Sequence, residues 1–287
     1  MKRYLIVVLL LITTGLIFVS WNEASPGRPD DTYHLKYKLK KGQTLNYTAI
    51  TQSEQNIEIM GQEQTSKSES ETTVQITSNG SNAAGNFVYT MQINAFKVAI
   101  TSAMFDTTIT DPSEVIGKKI QKEVNQFGDQ IKSIELDSIK LNPMFAQLFS
   151  SGSEFLPNLP EKELKMGTSV PMTDIDTSFA MGGKRIVKSE MNYTLQGKEA
   201  KSGYQCLKID FKGTLTIEGD GMYQGMMKFF LEGDGDVTGT MYFAPEEGLM
   251  VAVESESNIE STAAFTGQQN MTIPISSSVN STLNLVK

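Results

Sequence analysis

Apolar and polar residues alternate along most of this chain, a period-two pattern typical of β-strands with one buried and one solvated face. The alternation is clearest in four stretches, residues 33–40, 87–93, 207–217 and 249–254. Residues 62–73 are almost wholly Ser, Thr, Glu, Gln and Lys, and they run directly into the alternating Val74 and Ile76. We therefore predict a strand with an exposed face there, because threonine-rich segments also form long solvated strands.

Two local features interrupt the alternation. The apolar residues of 96–100 fall on the opposite parity from Ile93, which predicts a β-bulge near Asn94 or Ala95. The polar, glycine-containing stretch Asn125–Asp129 is typical of a hairpin loop.

One stretch has helical spacing. Asn142 and Pro143 are typical of the N-cap and the first position of a helix. The apolar residues that follow form a single stripe at that spacing: Met144, Phe145, Leu148 and Phe149. We predict a short helix within an insert that spans residues 141–160.

These elements predict a mainly β protein, a long antiparallel meander that forms a curved open barrel or a two-sheet sandwich with a short helical insert near its middle. Residues 33–287 are expected to be a single β-rich domain. Its two similar halves, about 33–140 and 165–287, flank the insert 141–160. Gly42-Gln43-Thr44 and Gly167-Thr168-Ser169 stand at similar positions before a strand, which hints at an internal duplication.

The N-terminus reads as an export signal. Lys2 and Arg3 precede an apolar stretch, Tyr4–Val19, which as a helix would be about 24 Å long and therefore short of a bilayer core. We predict a signal peptide over residues 1–24, a linker over 25–32, and a location in the periplasm, cell envelope or extracellular space. The alternative is that residues 1–24 remain as an N-terminal membrane anchor.

Composition excludes several classes of function. The chain has 287 residues, is 39% hydrophobic and carries a formal net charge of −8, which disfavours binding to nucleic acid phosphates. A single cysteine and a single histidine exclude an internal disulfide, multi-cysteine metal sites and a zinc site with two histidines. We expect no cofactor and no enzymatic activity.

Three candidate sites each have an ordinary structural explanation. Asp234 and Asp236 begin a loose match to a calcium loop, but its twelfth position is Pro245 where the motif needs glutamate. A curved strand or a hairpin turn is the preferred interpretation of these glycine-rich residues. His34 lies on the polar side of an alternating segment, so we interpret it as solvated rather than catalytic. Cys206 lies in a strand pattern and is expected to be a buried thiol.

Methionine is abundant, with 15 residues, and it clusters in the second half of the chain. Ordinary core packing explains such a cluster, because thioether side chains fill irregular gaps. The functional alternative is an apolar concavity inside a curved sheet that receives a lipid or acyl chain. Its candidate ligand-binding residues, chosen for their apolar character, are Phe145, Phe149, Met222, Met226 and Phe229.

Three segments resemble a loosely defined group of exported bacterial β-rich proteins of unknown function: Lys41-Gly42-Gln43, Asn125 to Ile134, and Gly233 to Gly248. At the level of fold alone, the predicted sheet with an internal helix is similar to periplasmic lipoprotein carriers. As an analogy of fold, this similarity adds only modest support to a carrier function.

The leading hypothesis is a non-catalytic exported protein that binds an apolar ligand in its curved sheet. The alternative is a structural or protein-interaction module of the cell envelope, and the remote alternative is a carboxylate-metal hydrolase. Expected partners are a lipid or other apolar small molecule, or an envelope protein. No nucleic acid partner is expected, and a membrane is expected only through an uncleaved N-terminus.

Overall fold

The computed structural model describes residues 31–59, 61–103, 106–137, 155–180, 183–223, 227–266 and 270–286. Within these ranges the regular structure consists of β-strands, which confirms the mainly β prediction. No helix in these ranges has the length and apolar character that crossing a membrane requires.

Fourteen strands are described. In the first half they are β1 (Thr32–Tyr33), β2 (Thr44–Ile59), β3 (Gln62–Ser81), β4 (Phe87–Ser102), β5 (Asp106–Thr110), β6 (Lys119–Val124) and β7 (Gln130–Glu135). In the second half they are β8 (Leu164–Lys165), β9 (Ser169–Ala180), β10 (Gly183–Lys201), β11 (Tyr204–Tyr223), β12 (Met227–Ala244), β13 (Leu249–Thr266) and β14 (Met271–Val286).

Twelve of these strands form one antiparallel sheet in the order β7-β6-β4-β3-β2-β14-β13-β12-β11-β10-β9, with β5 also paired to β4. Neighbours in the sheet are mostly neighbours in sequence, so the predicted long meander is confirmed. There are two exceptions: β4 pairs with β6 as well as with β5, and β14 pairs with β2 and thereby joins the two halves of the chain. The sheet is continuous rather than divided into two layers, and it is not closed into a barrel.

The sheet bends around one of its faces, which we call the inner face; the opposite side is the polar face. A flat sheet would leave that face in water unless another layer covered it. Yet inner-face residues are buried on strands as distant as β4, where Val98 is 1% exposed, and β10, where Leu195 is 1% exposed. Both belong to one buried cluster. Another buried cluster, which includes Ile57 of β2 and Phe229 of β12, consists only of residues of this one sheet, so the sheet must bend to bury it.

The alternating segment 33–40 forms a strap across one end of the sheet. Leu35, Tyr37 and Leu39 are buried as predicted and Tyr33 is partly buried, but only Thr32–Tyr33 pairs as a strand, with β8. The backbone N–H of Tyr37 donates to the carbonyl of Gln126, and that of Lys38 donates to the carbonyl of Gly248. The prediction of a strand over 33–40 was therefore wrong, because alternation here follows from lying on a core and not from a strand ladder.

Other local predictions can now be assessed. Pairing shifts register between Thr73 and Val74, which leaves Asn94 as the extra residue of a bulge in β4. The turn at Asn125–Asp129 is also confirmed, with the Asn125 side-chain oxygen accepting the N–H groups of Phe127 and Asp129. The predicted helix itself lies outside the described residues. The described end of that insert, residues 155–160, is not helical.

Candidate binding site on the inner face

Two apolar clusters occupy the inner face, one towards each end of the strands. The first cluster lies beside the strap and includes Leu35, Tyr47 and Phe243. The second cluster lies towards the opposite end, which we call the tip end, where β2, β11 and β13 finish and β12 and β14 begin. It includes Phe229 and Phe265, whose ring centroids are 5.9 Å apart.

A belt of small polar side chains separates the two clusters on the four central strands. This serine belt consists of Thr51, Ser53 and Gln55 of β2, Ser66, Ser68 and Ser70 of β3, Ser255 and Ser257 of β13, and Ser277 and Ser281 of β14. Strand alternation places these residues on the inner face, because they share parity with the apolar cluster residues of the same strands. On β2, β13 and β14 the inner face is therefore apolar towards both ends and mostly polar between them.

Several hydroxyl groups of the serine belt are paired across strands. Ser53 Oγ lies 2.8 Å from Ser68 Oγ, and Ser281 Oγ donates to Thr51 Oγ1 at 2.5 Å. The side-chain amide of Gln55 donates to Ser277 Oγ at 3.3 Å. These pairs stabilise the register of the sheet, and the paired groups need no ligand to satisfy their hydrogen bonds.

Three hydroxyl groups of the belt differ from the others. Ser66, Ser255 and Ser257 are each 1% exposed, and their Oγ atoms have no hydrogen-bond partner among the described residues. Buried polar groups in folded proteins are almost always paired, because an unmet hydroxyl costs about 1–3 kcal/mol. These three atoms are therefore the chemical feature of the inner face that ordinary packing does not explain.

Glycine and aromatic side chains line the flank of the belt on β11 and β12. Gly239 is the cross-strand neighbour of both Ser255 and Phe211. A Cβ atom at Gly239 would lie 2.5 Å from Phe211 Cζ, so the ring occupies the space of the missing side chain. Phe211 in turn contacts Tyr193, with ring centroids 5.7 Å apart. An aromatic wall therefore stands beside the unpaired hydroxyl of Ser255.

The structure does not bring the predicted ligand-binding residues together. Phe229 is 5% exposed in the second cluster, whereas Met222 is 41% exposed. Gly221 is the cross-strand partner of Phe229, so Met222, one residue further, lies on the polar face. Phe145, Phe149 and Met226 lie outside the described residues.

The polar face carries an open trough of about 620 Å³ across the central strands. Among the residues that line it are Glu54, Lys67 and Glu260, and Lys67 Nζ lies 2.8 Å from Glu54 Oε2. Gln52 donates to Glu69 beside them at 3.2 Å. The trough offers charged and amide groups, and Ser53, Ser68 and Ser277 of the serine belt also border it.

The weak metal candidates lie on this polar face as well. Asp234 and Asp236 belong to the regular strand β12 rather than to a loop, and both are exposed. Asp234 is the cross-strand partner of Glu260. Among the described residues there is no group of three or more His, Cys, Asp or Glu side chains that could hold a metal ion.

The single histidine and the single cysteine have structural roles. His34 Nε2 lies 2.8 Å from Glu163 Oε1, and both side chains are about half exposed, which agrees with a solvated histidine. Cys206 is 1% exposed, as expected for a buried thiol. Burial is the main cause that raises the pKa of Cys206 to about 12, so the reactive thiolate form is scarce at neutral pH.

A scan against protein-family models and a search of curated proteins both find no match for this chain. Its resemblance to exported bacterial β-rich proteins therefore stays a prediction.

Proposed function

We propose that this protein is a non-catalytic exported binding protein whose curved sheet holds an amphiphilic ligand, a lipid or acyl chain with a polar group. The observation that supports this proposal is the set of unpaired, buried hydroxyl groups of Ser66, Ser255 and Ser257 between two apolar clusters. An amphiphile suits this arrangement, because its chain contacts the apolar clusters while its polar group forms hydrogen bonds with the serine hydroxyl groups.

The test compares the same substitution on the two faces of the sheet. Lipids are extracted from the purified protein and identified by mass spectrometry, and the affinity for an environment-sensitive acyl dye is measured by titration. Ser255→Ala and Ser257→Ala are expected to weaken dye binding about two- to tenfold each, because each removes one hydrogen bond. Ser278→Ala, on the polar face of β14, is the matched control and leaves dye affinity unchanged.

Two results would contradict the proposal. The first is the absence of co-purifying lipid together with no dye binding. The second is a Ser255→Ala, Ser257→Ala double variant that unfolds at higher denaturant concentration but binds the dye as the parent does. That second result would mean that the hydroxyl groups of Ser255 and Ser257 form no hydrogen bond with the ligand.

The polar trough supports a second candidate function, a protein-interaction module of the cell envelope. Three of its lining residues are carboxylates and one is a lysine, so its charge favours a basic segment of a partner protein. A photo-cross-linking residue in place of Glu260 is expected to capture a partner in intact cells, while one in place of Glu246 is not. Recovery of monomer alone from the Glu260 position would count against this function.

A further inference from the structure

Strand β9 is an outermost strand of the sheet, and only one of its two edges is paired. Its neighbour is β10, and no other strand of the described ranges pairs with it. Edge strands in natural proteins are commonly protected by short length or by lysine. The other outermost strand, β7, has 6 residues and carries Lys132, whereas β9 has 12 residues and no lysine. The outer edge of β9 therefore has neither of these protections.

Pro171 indicates which backbone groups of β9 point outwards. Proline has no N–H, and in a sheet its nitrogen faces away from the neighbouring strand. The ladder between β9 and β10 has no register shift, so the groups of Thr173, Ile175 and Thr177 point the same way as those of Pro171. The pKa of Asp174, which burial raises most, is partly lowered by a hydrogen bond from the N–H of Ile175, so this N–H faces the edge and not β10. We call residues 173–177 the open edge.

The side chains of the open edge form an exposed row on the polar face. Thr173 and Thr177 are exposed, and Ile175, at 61%, is more exposed than any other large apolar residue that the structure describes. All three side chains are β-branched, and such side chains pack well against those of a neighbouring strand. The open edge thus combines outward backbone groups with a surface suited to another strand.

Acidic side chains alternate with this row on the inner face. Asp174 and Asp176 belong to β9, and the charge of Asp129, in the turn before β7, acts on Asp174 together with the larger effect of burial. Arg185 of β10 interacts with Asp176, so three carboxylates face one cation here. Like charges directly opposite each other destabilise a strand pair. A strand that pairs with the open edge must therefore bring positive charge to the inner face.

The same charges disfavour a second copy of this chain as that strand. In an antiparallel pair of two β9 strands centred on Ile175, Asp174 of each copy would lie opposite Asp176 of the other. If β7 of another copy paired with β9, with Ile134 opposite Ile175, Glu135 would lie opposite Asp174. The formal net charge of −8 adds repulsion between copies.

We propose that the open edge of β9 docks an extended segment of a basic partner protein, which adds a strand to the sheet with lysine or arginine side chains facing Asp174 and Asp176. Main-chain hydrogen bonds provide affinity in this mode of recognition, and alternate side chains provide specificity. The incoming strand supplies a carbonyl for the N–H of Ile175 and a cation for the carboxylate that this N–H now contacts. This inference depends neither on a ligand in the inner face nor on a partner in the polar trough.

The probe for this edge is a short synthetic peptide that alternates lysine with valine. It carries a fluorophore and is titrated with the full chain while the fluorescence anisotropy is recorded. One control peptide has glutamate in place of lysine, and the other has the same lysines and valines in two separate blocks. The alternating lysine peptide is expected to bind more tightly than either control, because only this peptide, when extended, presents lysine on one face and valine on the other.

Substitutions in β9 test the backbone edge and its charges separately. Ile175→Pro removes the outward N–H but keeps the ladder to β10, and is expected to weaken binding on the order of tenfold, whereas Ile175→Val leaves binding nearly unchanged. Asp174→Asn combined with Asp176→Asn is expected to weaken binding about three- to tenfold. The matched control is Asp234→Asn with Asp236→Asn, the same residues at the same spacing on β12, which is paired on both sides. Circular dichroism checks that each variant is folded, and the aspartate variants test the inference if Ile175→Pro does not fold.

Three outcomes would overturn the inference. One is a block peptide that binds as tightly as the alternating peptide, which would indicate attraction of charge without strand pairing. Another is binding that Ile175→Pro leaves unchanged and Glu260→Gln weakens, which would place the peptide in the polar trough. The third is a dimer in sedimentation that Ile175→Pro dissociates, which would assign the open edge to a second copy of the chain. Acyl-dye binding that persists in any of these cases leaves the inner-face proposal intact.

Discussion

At the scale of single residues, the atoms that a Cβ would contact decide how strongly a turn requires glycine. Gly248 adopts a φ of +66°, and a Cβ there would lie 2.6 Å from the backbone nitrogen of Lys38 in the strap. Gly85 adopts a similar φ of +83°, but no atom lies within 4 Å of its would-be Cβ. An L-residue at either position would be strained by the left-handed φ. Only at position 248 would its Cβ also clash with the strap.

We expect Gly248→Ala to destabilise the fold more than Gly85→Ala. Both substitutions carry a left-handed cost of about 1–2 kcal/mol, and the first adds about 1–3 kcal/mol because the strap must move. Urea unfolding of the two variants measures the difference. Equal urea midpoints for the two variants would show that the strap can move aside without a cost in free energy.

The serine belt shows where prediction from residues reaches its limit. Residues 62–73 are correctly predicted to form a strand, and Ser66 lies in β3. From the sequence, however, a serine in a polar stretch indicates a solvated position. Ser66 is instead 1% exposed, because the sheet bends over it through contacts between residues far apart in sequence.

At the scale of elements, hydrogen bonds to loops fasten the strap to the sheet. Tyr37 Oη donates to the carbonyl of Pro157 at 2.7 Å, and its ring meets that of Phe243 edge to face at 5.9 Å. One side chain thus connects the strap, the described end of the insert and strand β12. Alternation in 33–40 predicts the buried residues but not these partners, since the loops contribute backbone atoms at positions that no local pattern specifies.

Tyr37→Phe is expected to lower the free energy of unfolding by about 1–2 kcal/mol, because it leaves the carbonyl of Pro157 without this donor. Tyr33→Phe serves as the control. Tyr33 donates to the carboxylate of Asp31 in a less buried place, so its loss should cost about 0.5 kcal/mol or less. Denaturant titration followed by circular dichroism compares the stabilities of the two variants. If Tyr37→Phe left the free energy of unfolding unchanged, this hydrogen bond would not be what holds the strap on the sheet.

At the scale of the whole molecule, the described end of the insert contacts β9, one of the two outermost strands of the sheet. Asn158 of the insert donates a hydrogen bond to Asp174 Oδ2 of β9 at 3.3 Å. Burial, followed by the nearby charges of Asp129 and Asp176, raises the pKa of Asp174 above its ordinary value. A protonated Asp174 is thus favoured in the folded protein relative to the unfolded chain.

Because folding raises the pKa of Asp174, the free energy of unfolding depends on pH. The contribution of Asp174 to stability is fully present below the ordinary aspartate pKa and is lost as the pH rises through the raised folded value. Asp174→Asn, which cannot ionise, should be more stable than the parent at neutral pH and equal to it in acid. Unfolding measured from acid to neutral pH checks this, and a constant difference between the two proteins would contradict it.

The pairing of β14 with β2 also constrains how the chain can fold as it is made. Thr51 and Ser281, which meet in this ladder, are separated by 230 residues of sequence. During synthesis β2 emerges early and has β3 on one side, while its other edge lacks a neighbour until translation reaches β14. Contacts of such long range are slow to form, so the edge of β2 stays open to wrong pairing until the last strand has been made.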